Sequence, residues 1–201
     1  MRLARTAATA AALVLLALTA CAGPADQAPA ATADTRPSPA SSSSAAVNIG
    51  RPATNDLVGE LSPEGARAFL YYYFDLQAYV LQTGDAAAGG ELIEGAAREQ
   101  AEAGRLQAVY DDGGWVLGGQ PKVENVLLTS AEEDIAEGAD VTALIPVNPD
   151  AYTEFTEDGS IAEQRPFLPE GTIYTATIRY ADGAWKLIAL DETPDAELPE
   201  A

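Results

Sequence analysis

The stretch TIYTATIRYADGAWKLIALD, residues 172–191, decides the fold of this chain. Its two β-rich runs flank Asp182-Gly183, and an Asp-Gly pair between such runs is a strong signal for a two-residue hairpin turn. The turn sets a register with three apolar pairs on one face: Tyr180 with Trp185, Ile178 with Leu187, and Ala176 with Ala189. The other face places Arg179 beside Lys186, and two adjacent like charges require solvent. The pattern therefore predicts an antiparallel hairpin with one buried face and one wet face.

Two helices are predicted upstream of this hairpin. Ser62 is a good N-cap, Pro63 suits the first helical turn, and Gly84 suits the left-handed residue that ends a helix. Between them, apolar side chains recur at three- and four-residue steps: Phe69, Leu70, Tyr73, Phe74, Leu76 and Val80. A second helix is predicted over residues 91–110, where five apolar positions share a face: Leu92, Ala96, Ala103, Leu106 and Tyr110. Each helix therefore has an apolar face that it must bury.

Further β-rich runs complete the predicted sheet. Strands are expected at Trp115-Val116-Leu117, over residues 122–129 and over residues 140–147. A second hairpin, with Asp158-Gly159 as its turn, is polar and ends in prolines, so we expect this stretch to be a protruding loop. The predicted fold is an α+β domain over residues 58–192, with two N-terminal helices packed on a curved antiparallel sheet that ends in a hairpin.

The N-terminus carries the pattern of a secretory signal peptide over residues 1–20. Two arginines precede a short apolar run, and small residues lead to Cys21. The apolar run is shorter than the roughly 20 residues that a transmembrane helix needs. The residues Leu18-Thr19-Ala20-Cys21 resemble a bacterial lipobox, which implies cleavage between Ala20 and Cys21 and a diacylglyceryl group, with chains of the palmitate type, on the cysteine.

A lipid on Cys21 decides where the protein resides. Each buried methylene contributes about 0.8 kcal/mol, and two acyl chains anchor stably where one binds only marginally. Residues 21–57 hold five prolines and much alanine and serine without an apolar period, so they are predicted to be a disordered linker with a reach of about 30–35 Å. The acidic tail, residues 193–201, is expected to fray. We therefore expect a lipoprotein on the extracytoplasmic face of the cell membrane.

Composition excludes several kinds of chemistry. The chain has no histidine and a single cysteine, which excludes the usual zinc sites and catalysis by Ser-His-Asp or Cys-His groups. Without the signal peptide, nine basic residues face 31 acidic ones, and the net charge of −22 repels the phosphates of nucleic acid. The carboxylates follow no calcium-loop pattern. We expect no cofactor, no metal site, no catalytic residue and no nucleic-acid partner, and we predict that the protein is not an enzyme.

Two resemblances carry further expectations. Two helices and a sheet that closes on Asp-Gly-Ala-Trp-Lys-Leu, residues 182–187, resemble the nuclear-transport-factor-2-like cone. A lipobox and an Ala/Pro/Ser linker, followed by Ser62-Pro63-Glu64-Gly65-Ala66, Tyr73-Phe74 and Thr83-Gly84-Asp85, resemble a family of uncharacterised actinobacterial lipoproteins. Members often carry cysteines soon after the Thr-Gly-Asp stretch, and this chain lacks them together with any disulfide that they make. The resemblance implies a class and a location and brings no established activity.

The cone implies a cavity between helices and sheet, and pockets are the default binding hypothesis. Aromatic residues of the first helix and the first strand are candidates for its lining: Tyr71, Tyr72, Tyr73 and Trp115. Plain packing is the competing explanation for each of them. Asp75 is the carboxylate to examine as a base, because apolar surroundings raise the pKa of a carboxyl group. Simple exposure to water is the competing explanation for Asp75.

The sequence favours a non-catalytic module that binds an envelope protein or a small ligand. A small-ligand-binding or carboxylate-dependent enzyme in the cavity is the alternative, and a purely structural role at the cell envelope is a third hypothesis. A deep cavity with a polar rim would favour a small ligand, whereas a large exposed apolar patch would favour a protein partner.

Overall fold

The computed structural model describes residues 34–198 of the chain. Within them lie three α-helices: α1 (Pro63–Thr83), α2 (Ala86–Gly90) and α3 (Ala97–Asp111). The strands of the same residues are β1 (Trp115–Gly118), β2 (Pro121–Val123), β3 (Leu127–Leu128), β4 (Asp140–Pro149), β5 (Tyr152–Phe155), β6 (Ile161–Arg165), β7 (Thr172–Ala181) and β8 (Ala184–Glu192). The predicted α+β class is confirmed, because helices and antiparallel strands occupy separate blocks of the chain.

Helix α1 begins and ends as the sequence predicts. The Ser62 Oγ accepts a hydrogen bond from the Gly65 N–H at 3.0 Å, and Pro63 occupies the first turn. Gly84 follows in the left-handed region, with φ at 71°. A Cβ at Gly84 would also lie 2.6 Å from the Tyr110 ring, so only glycine fits this position. The predicted apolar face is buried: Phe69, Leu70, Tyr73, Phe74, Leu76 and Val80.

The second helix is shorter than predicted, because α3 begins only at Ala97. The residues from 91 to 96 bind the edge of β8 instead. The Leu187 N–H donates to the Leu92 carbonyl at 2.8 Å, and the Glu94 N–H donates to the Leu187 carbonyl at 2.9 Å. Gly95 lies so close to β8 that a Cβ there would be 2.9 Å from the Ile188 carbonyl oxygen. Backbone pairing with the sheet therefore overrides a helical pattern that is correct from Ala97 onward.

The strands form two antiparallel sheets. The larger sheet has the order β2-β4-β7-β8, and β3 also pairs with β4. The smaller sheet has the order β1-β5-β6. Helix α1 packs one face against the larger sheet, and the shared core includes Phe69, Tyr73, Ile145, Ile178 and Trp185. Helices on one face and strands on the other bury the apolar sides of both.

The β7–β8 hairpin has the predicted turn and, near the turn, the predicted register. Asp182 and Gly183 both have positive φ, at 53° and 81°. The pairs of Tyr180 with Trp185, Ile178 with Leu187 and Arg179 with Lys186 are confirmed. The predicted pair of Ala176 with Ala189 is wrong, because Ala176 lies opposite Leu190. A β-bulge inserts Ile188 between the paired positions and turns Leu190, instead of Ala189, into the core.

The stretch around Asp158-Gly159, expected as a protruding loop, is a hairpin formed by β5 and β6, with a shift in register between Glu154 and Phe155. Its first strand is an integral part of the smaller sheet, since β5 pairs with β1 in the register Trp115 to Phe155. The rings of these two residues stack with their centroids 5.0 Å apart. Strand β6 is exposed along its whole length, which explains why this stretch is polar in the sequence.

Part of the segment predicted as a disordered linker makes hydrogen bonds in the structure. Ser38 and Val47 exchange two backbone hydrogen bonds of 2.9 Å, and the Trp115 Nε1–H donates to the Ser41 carbonyl at 2.9 Å. Arg51 binds Glu91 through both guanidinium nitrogens, at 2.6 and 3.3 Å. A half-buried indole N–H needs an acceptor, and the segment supplies it. Residues 36–57 thus contact the domain through specific hydrogen bonds.

The predicted signal peptide, Ala20, Cys21 and the first part of the predicted linker lie outside the described residues, as do residues 199–201. None of the helices within residues 34–198 combines the length and the apolar character needed to cross a membrane.

Candidate ligand cavity

A cavity of about 590 Å³ lies between α1, α3 and the ends of the strands remote from the β7–β8 turn. Helix α1 supplies Tyr73, Phe74, Gln77 and Leu81, and α3 supplies Arg98, Glu99, Glu102 and Leu106. The strands and their loops supply the rest: Gly119, Pro121, Pro149, Asp150, Tyr152, Arg165, Pro166, Leu168, Gly171, Thr172, Leu190, Glu192 and Pro194.

The inner part of the lining is apolar and aromatic. Tyr73 and Phe74 are buried and meet edge to face, with centroids 5.3 Å apart. Phe74 in turn lies 6.3 Å from the ring of Tyr174. Leu106 of α3 and Leu190 of β8 are buried beside them. These residues line the cavity because the α1 stripe, the α3 stripe and the residues after the β8 bulge converge on one region.

Ion pairs line the rim of the cavity. Arg98 donates to Glu192 at 2.8 Å and so ties α3 to the end of β8. Asp150 accepts from Lys122 at 2.5 Å, beside the turn between β4 and β5. Exposed pairs of this kind add little to stability, because solvent screens them. Their effect here is to satisfy most of the charges at the rim within the protein.

A half-buried network of hydrogen bonds and ion pairs around Tyr152 forms part of one wall. Arg105 of α3 donates to Glu102 at 2.9 Å, to Glu154 at 2.6 Å and to the Tyr152 hydroxyl at 3.0 Å. Tyr152 donates to Glu154 at 2.5 Å, and the guanidinium of Arg165 lies 4.0 Å above the Tyr152 ring. Desolvation works against ionised Glu154, but the hydrogen bonds from Tyr152 and Arg105 outweigh it and lower the pKa of Glu154. The network fixes α3 against the smaller sheet.

Glu99 stands apart from the other carboxylates of the lining. The other three each have an ion-pair partner: Glu102 with Arg105, Asp150 with Lys122, and Glu192 with Arg98. Among the residues that the structure describes, none forms an ion pair with Glu99. Burial raises the pKa of the Glu99 carboxyl, and the carboxylate of Asp191 adds to this rise, while a backbone N–H and the charge of Arg98 oppose it in part. Burial, followed by the charge of Glu99, raises the pKa of the Tyr73 hydroxyl well above its usual value.

The structure places only one of the five sequence candidates in the lining. Tyr73 lines the cavity, whereas Tyr72 is buried against Leu76 and Ala88 between α1 and α2. Tyr71 is exposed, with 39% of its surface accessible. Trp115 stacks on Phe155 in the smaller sheet, on the side that holds the Ser41 segment. Plain packing therefore accounts for Tyr72 and Trp115.

Asp75 lies on the exposed face of α1 and is not part of the cavity lining. Partial desolvation raises the pKa of its carboxyl. The same effect acts on Glu99, which does line the cavity. The carboxylate that merits attention is therefore on α3 and not on α1.

Glu99 is not among the sequence candidates, because it is not one of the five apolar positions that are predicted to share a face of the second helix. The spacing carries a signal nonetheless. Glu99 lies three residues after Ala96, four before Ala103 and seven before Leu106, so it interrupts the apolar stripe of α3. A lone carboxylate within an apolar stripe indicates either a buried partner or an opening, and the structure shows an opening.

A second hollow, of about 660 Å³, lies beside the β5–β6 turn and includes Asp112, Glu157 and Asp158. It is more open to solvent than the cavity and has no comparable aromatic floor. No group of three or more acidic or cysteine side chains within residues 34–198 is arranged to hold a metal ion. The cavity between α1 and α3 is therefore the candidate site.

A comparison with models of protein families identifies the family of this chain. A model described as a family of unknown function (DUF6318) matches residues 36–191, which include both sheets and all the helices described above. The chain belongs to this family. The family region begins at residue 36, so it includes the segment that contacts Trp115 through Ser41.

Other comparisons add little. The solved structure of Aln2 from a Streptomyces species is similar over 67% of this chain and 93% of its own, with 14% identity and a TM-score of 0.41. A likeness at that level does not assign the fold to a named superfamily. A comparison with curated proteins finds no match.

Proposed function

We propose that this domain binds a small ligand in the cavity between α1, α3 and the sheets, and that Cys21 anchors it by lipid to the extracytoplasmic face of the cell membrane. The observation that carries the binding proposal is the cavity itself. Its volume lies within the range of about 300–1,000 Å³ that is usual for small-molecule sites. Small-molecule sites commonly combine apolar contacts, which provide affinity, with a few polar groups, which orient the ligand. The aromatic floor and the charged rim of this cavity have these two properties.

The proposed anchor rests on the sequence alone. The charged start, short apolar run and Leu18-Thr19-Ala20-Cys21 ending support a lipoprotein of actinobacterial type. The net charge of −20 over the whole chain supports a domain that stays clear of anionic headgroups. A position outside the cytoplasmic membrane gives such a domain access to ligands from the surroundings.

The proposed architecture is a nuclear-transport-factor-2-like cone, supported by the order of helices and antiparallel strands and by a cavity at one end. The proposed role is binding without a catalytic step. A chain without histidine leaves acid–base work to carboxylates and tyrosines. Among the described residues of the lining, one carboxylate, Glu99, has no ion-pair partner.

The binding proposal is tested by titrating phenylbutanol into the full chain with Cys21→Ser, labelled with ¹⁵N and purified in its secreted form. We expect amide shifts concentrated at Tyr73, Leu106 and Leu190, because an apolar probe of this size fits the aromatic floor. Tyr71 and Tyr180 lie away from the lining and serve as internal controls. Shifts that are absent, or that centre on the β5–β6 turn, would contradict the proposal.

The anchor is tested separately by cell fractionation. The unaltered chain should remain in the membrane fraction, and Cys21→Ser should release it into the medium. Ser41→Ala, a change of equally small size that leaves the lipobox intact, is the control and should stay with the membrane. Retention of the Cys21→Ser chain in the membrane would overturn the anchor.

A further inference from the structure

We propose that the ligand is an organic cation, an amine or quaternary ammonium group on an apolar body, and that Glu99 is its counter-ion. This inference rests on the proposed function, since it names the chemical class that the cavity selects. It concerns the charge of the ligand, which the volume of the cavity alone does not decide.

The charges of the cavity lining favour a cationic ligand over an anionic one. Both arginines among the described lining residues are already bound to a carboxylate: Arg98 to Glu192 at 2.8 Å and Arg165 to Glu163 at 2.9 Å. An anionic ligand would have to break one of these pairs. Glu99 is the lining carboxylate without an ion-pair partner among the described residues. The charge of Arg98 acts on it, but Arg98 is paired with Glu192, so a cation would bind Glu99 without breaking an ion pair.

Glu99 lines the same cavity as the aromatic side chains of Tyr73 and Phe74. Burial, followed by the charge of Glu99, raises the pKa of the Tyr73 hydroxyl. Tyr73, Phe74 and Tyr174 form a continuous aromatic group. A cation next to aromatic faces gains about tenfold in affinity when it is partly desolvated. The apolar body of the ligand would lie along Leu106 and Leu190, which continue the floor.

The cavity lining already contains one contact between a cation and an aromatic ring. The guanidinium of Arg165 lies 4.0 Å above the Tyr152 ring, and both residues line the cavity. The net charge reinforces the selection, because the 31 acidic and 11 basic residues of the whole chain give it a charge of −20, which attracts cations and repels anions. Attraction by the acidic chain and pairing with Glu99 inside the cavity thus both favour a positively charged ligand.

The test uses three probes that share one apolar body and differ only in charge: phenylbutylamine, phenylbutanol and phenylbutanoate. Their affinities for the secreted full chain with Cys21→Ser are measured by calorimetry or by the NMR titration described above. We expect the amine to bind roughly tenfold more tightly than the alcohol, and the carboxylate to bind more weakly than either.

Glu99→Gln then isolates the proposed counter-ion. This variant should bring the amine to the affinity of the alcohol and leave the alcohol unchanged, because the amide keeps the size of the side chain and removes its charge. Glu94→Gln, at an exposed carboxylate outside the lining, is the matched control and should keep the preference for the amine. Circular dichroism of each variant confirms that the fold is intact.

The outcomes separate the two proposals. Equal binding of all three probes, or an amine preference that survives Glu99→Gln, would overturn the cation inference and leave the binding function standing. Tighter binding of the carboxylate would also overturn it and would assign selection to the arginines. Binding of none of the three would remove the inference and the proposed function together.

Discussion

The two ends of the β7–β8 hairpin differ in how completely they are filled. At the turn end, Trp185 is buried and its Nε1–H donates to the Glu60 carbonyl at 2.8 Å. Its neighbour Tyr180 meets it edge to face and donates to the Gly59 carbonyl at 2.9 Å. At the other end, the same two strands border a cavity in which Glu99 has no ion-pair partner among the described residues.

This difference shows where the domain gains stability and where it gives stability up. A filled end whose aromatic N–H and O–H groups are hydrogen-bonded is the arrangement that packing and hydrogen bonding favour. An open end with a desolvated carboxylate is unfavourable by itself and persists where a site needs it. We expect substitutions at the two ends to differ in their effect on stability, with the largest loss at the filled end.

The largest effect is expected at the filled end. Trp185→Ala should lower the free energy of unfolding by about 3–5 kcal/mol, because it opens a large cavity in the core. It also leaves the Glu60 carbonyl without its donor. Urea unfolding followed by circular dichroism measures the loss. Tyr71→Ala is the control at an exposed aromatic position on α1, and it should cost under about 1 kcal/mol.

A loss at Trp185 no larger than the loss at Tyr71 would contradict the view that the turn end stabilises the domain. A loss in the expected range with unchanged binding of the cavity probes would support the comparison. It would show that the turn end stabilises the domain without affecting ligand binding at the open end.

The next effect is expected at the wall of the cavity. Glu154→Gln should destabilise the domain by about 1–2 kcal/mol at neutral pH, because Arg105 and Tyr152 lose a buried charged acceptor. The lowered pKa of Glu154 means that its contribution is present above the unfolded pKa and is lost as the pH falls through the folded pKa.

The pH dependence supplies the check on Glu154. Unfolding of the parent and of Glu154→Gln should differ most near neutral pH, and the two curves should converge in acid. Glu163→Gln, at an exposed residue of β6, is the control and should leave the parent curve almost unchanged. A difference between the parent and Glu154→Gln that grows in acid would contradict the assigned role.

A smaller effect of opposite sign is expected at the open end. Burial raises the folded pKa of Glu99, so its contribution to stability is present below the unfolded pKa and is lost as the pH rises through the folded pKa. Glu99→Gln should therefore raise Tm by about 2 °C at neutral pH and lose this gain in acid. Arg98, Asp191 and Tyr73 face the same carboxylate and stay in place in this variant.

Differential scanning calorimetry at two pH values measures the change at Glu99, with Glu94→Gln as the matched control. A lower Tm at neutral pH would break the comparison between the two ends, because Glu99 would then be a structural residue.

The smallest effect is expected where residues 36–57 contact the smaller sheet. Trp115→Phe keeps the stacking on Phe155 and removes the donor to the Ser41 carbonyl, at a cost of about 1 kcal/mol. Limited proteolysis should then cut the segment near Ser41 faster, while the rest of the domain stays resistant. Equal cleavage of parent and variant would show that this hydrogen bond does not hold the segment.

Sequence patterns predicted the parts of this fold that local chemistry decides. The Ser62 cap, the stripe of α1, the Gly84 stop and the Asp182-Gly183 turn each depend on residues that are close in sequence, and all four are confirmed. The α+β class followed from these elements. The position of Tyr73 on the α1 stripe favoured plain packing, and the structure places this residue in the cavity lining.

The features that sequence patterns missed depend on contacts between distant segments. The start of α3 is set by backbone pairing of residues 92–95 with Leu187, and no periodicity in either segment reveals it. The bulge at Ile188 shifts the pairing of β8 with β7 by one residue and so reverses which later residues of β8 enter the core. Glu99 lies in an apolar stripe, yet only the tertiary arrangement shows that the stripe borders an opening.

The pairing of residues 92–95 with β8 also bears on how copies of this protein behave when they crowd together. An uncovered edge strand offers a row of free N–H and C=O groups to another chain. Here the short segment before α3 occupies that row at Leu187, while β6, an exposed edge of the smaller sheet, presents Glu163, Gln164 and Arg165 to solvent. One edge is therefore protected by a cover of backbone and the other by charge. Displacing the cover would make β8 a point of nucleation for intermolecular sheets, so a change at Gly95 that pushes the segment off Ile188 would first be seen as aggregation.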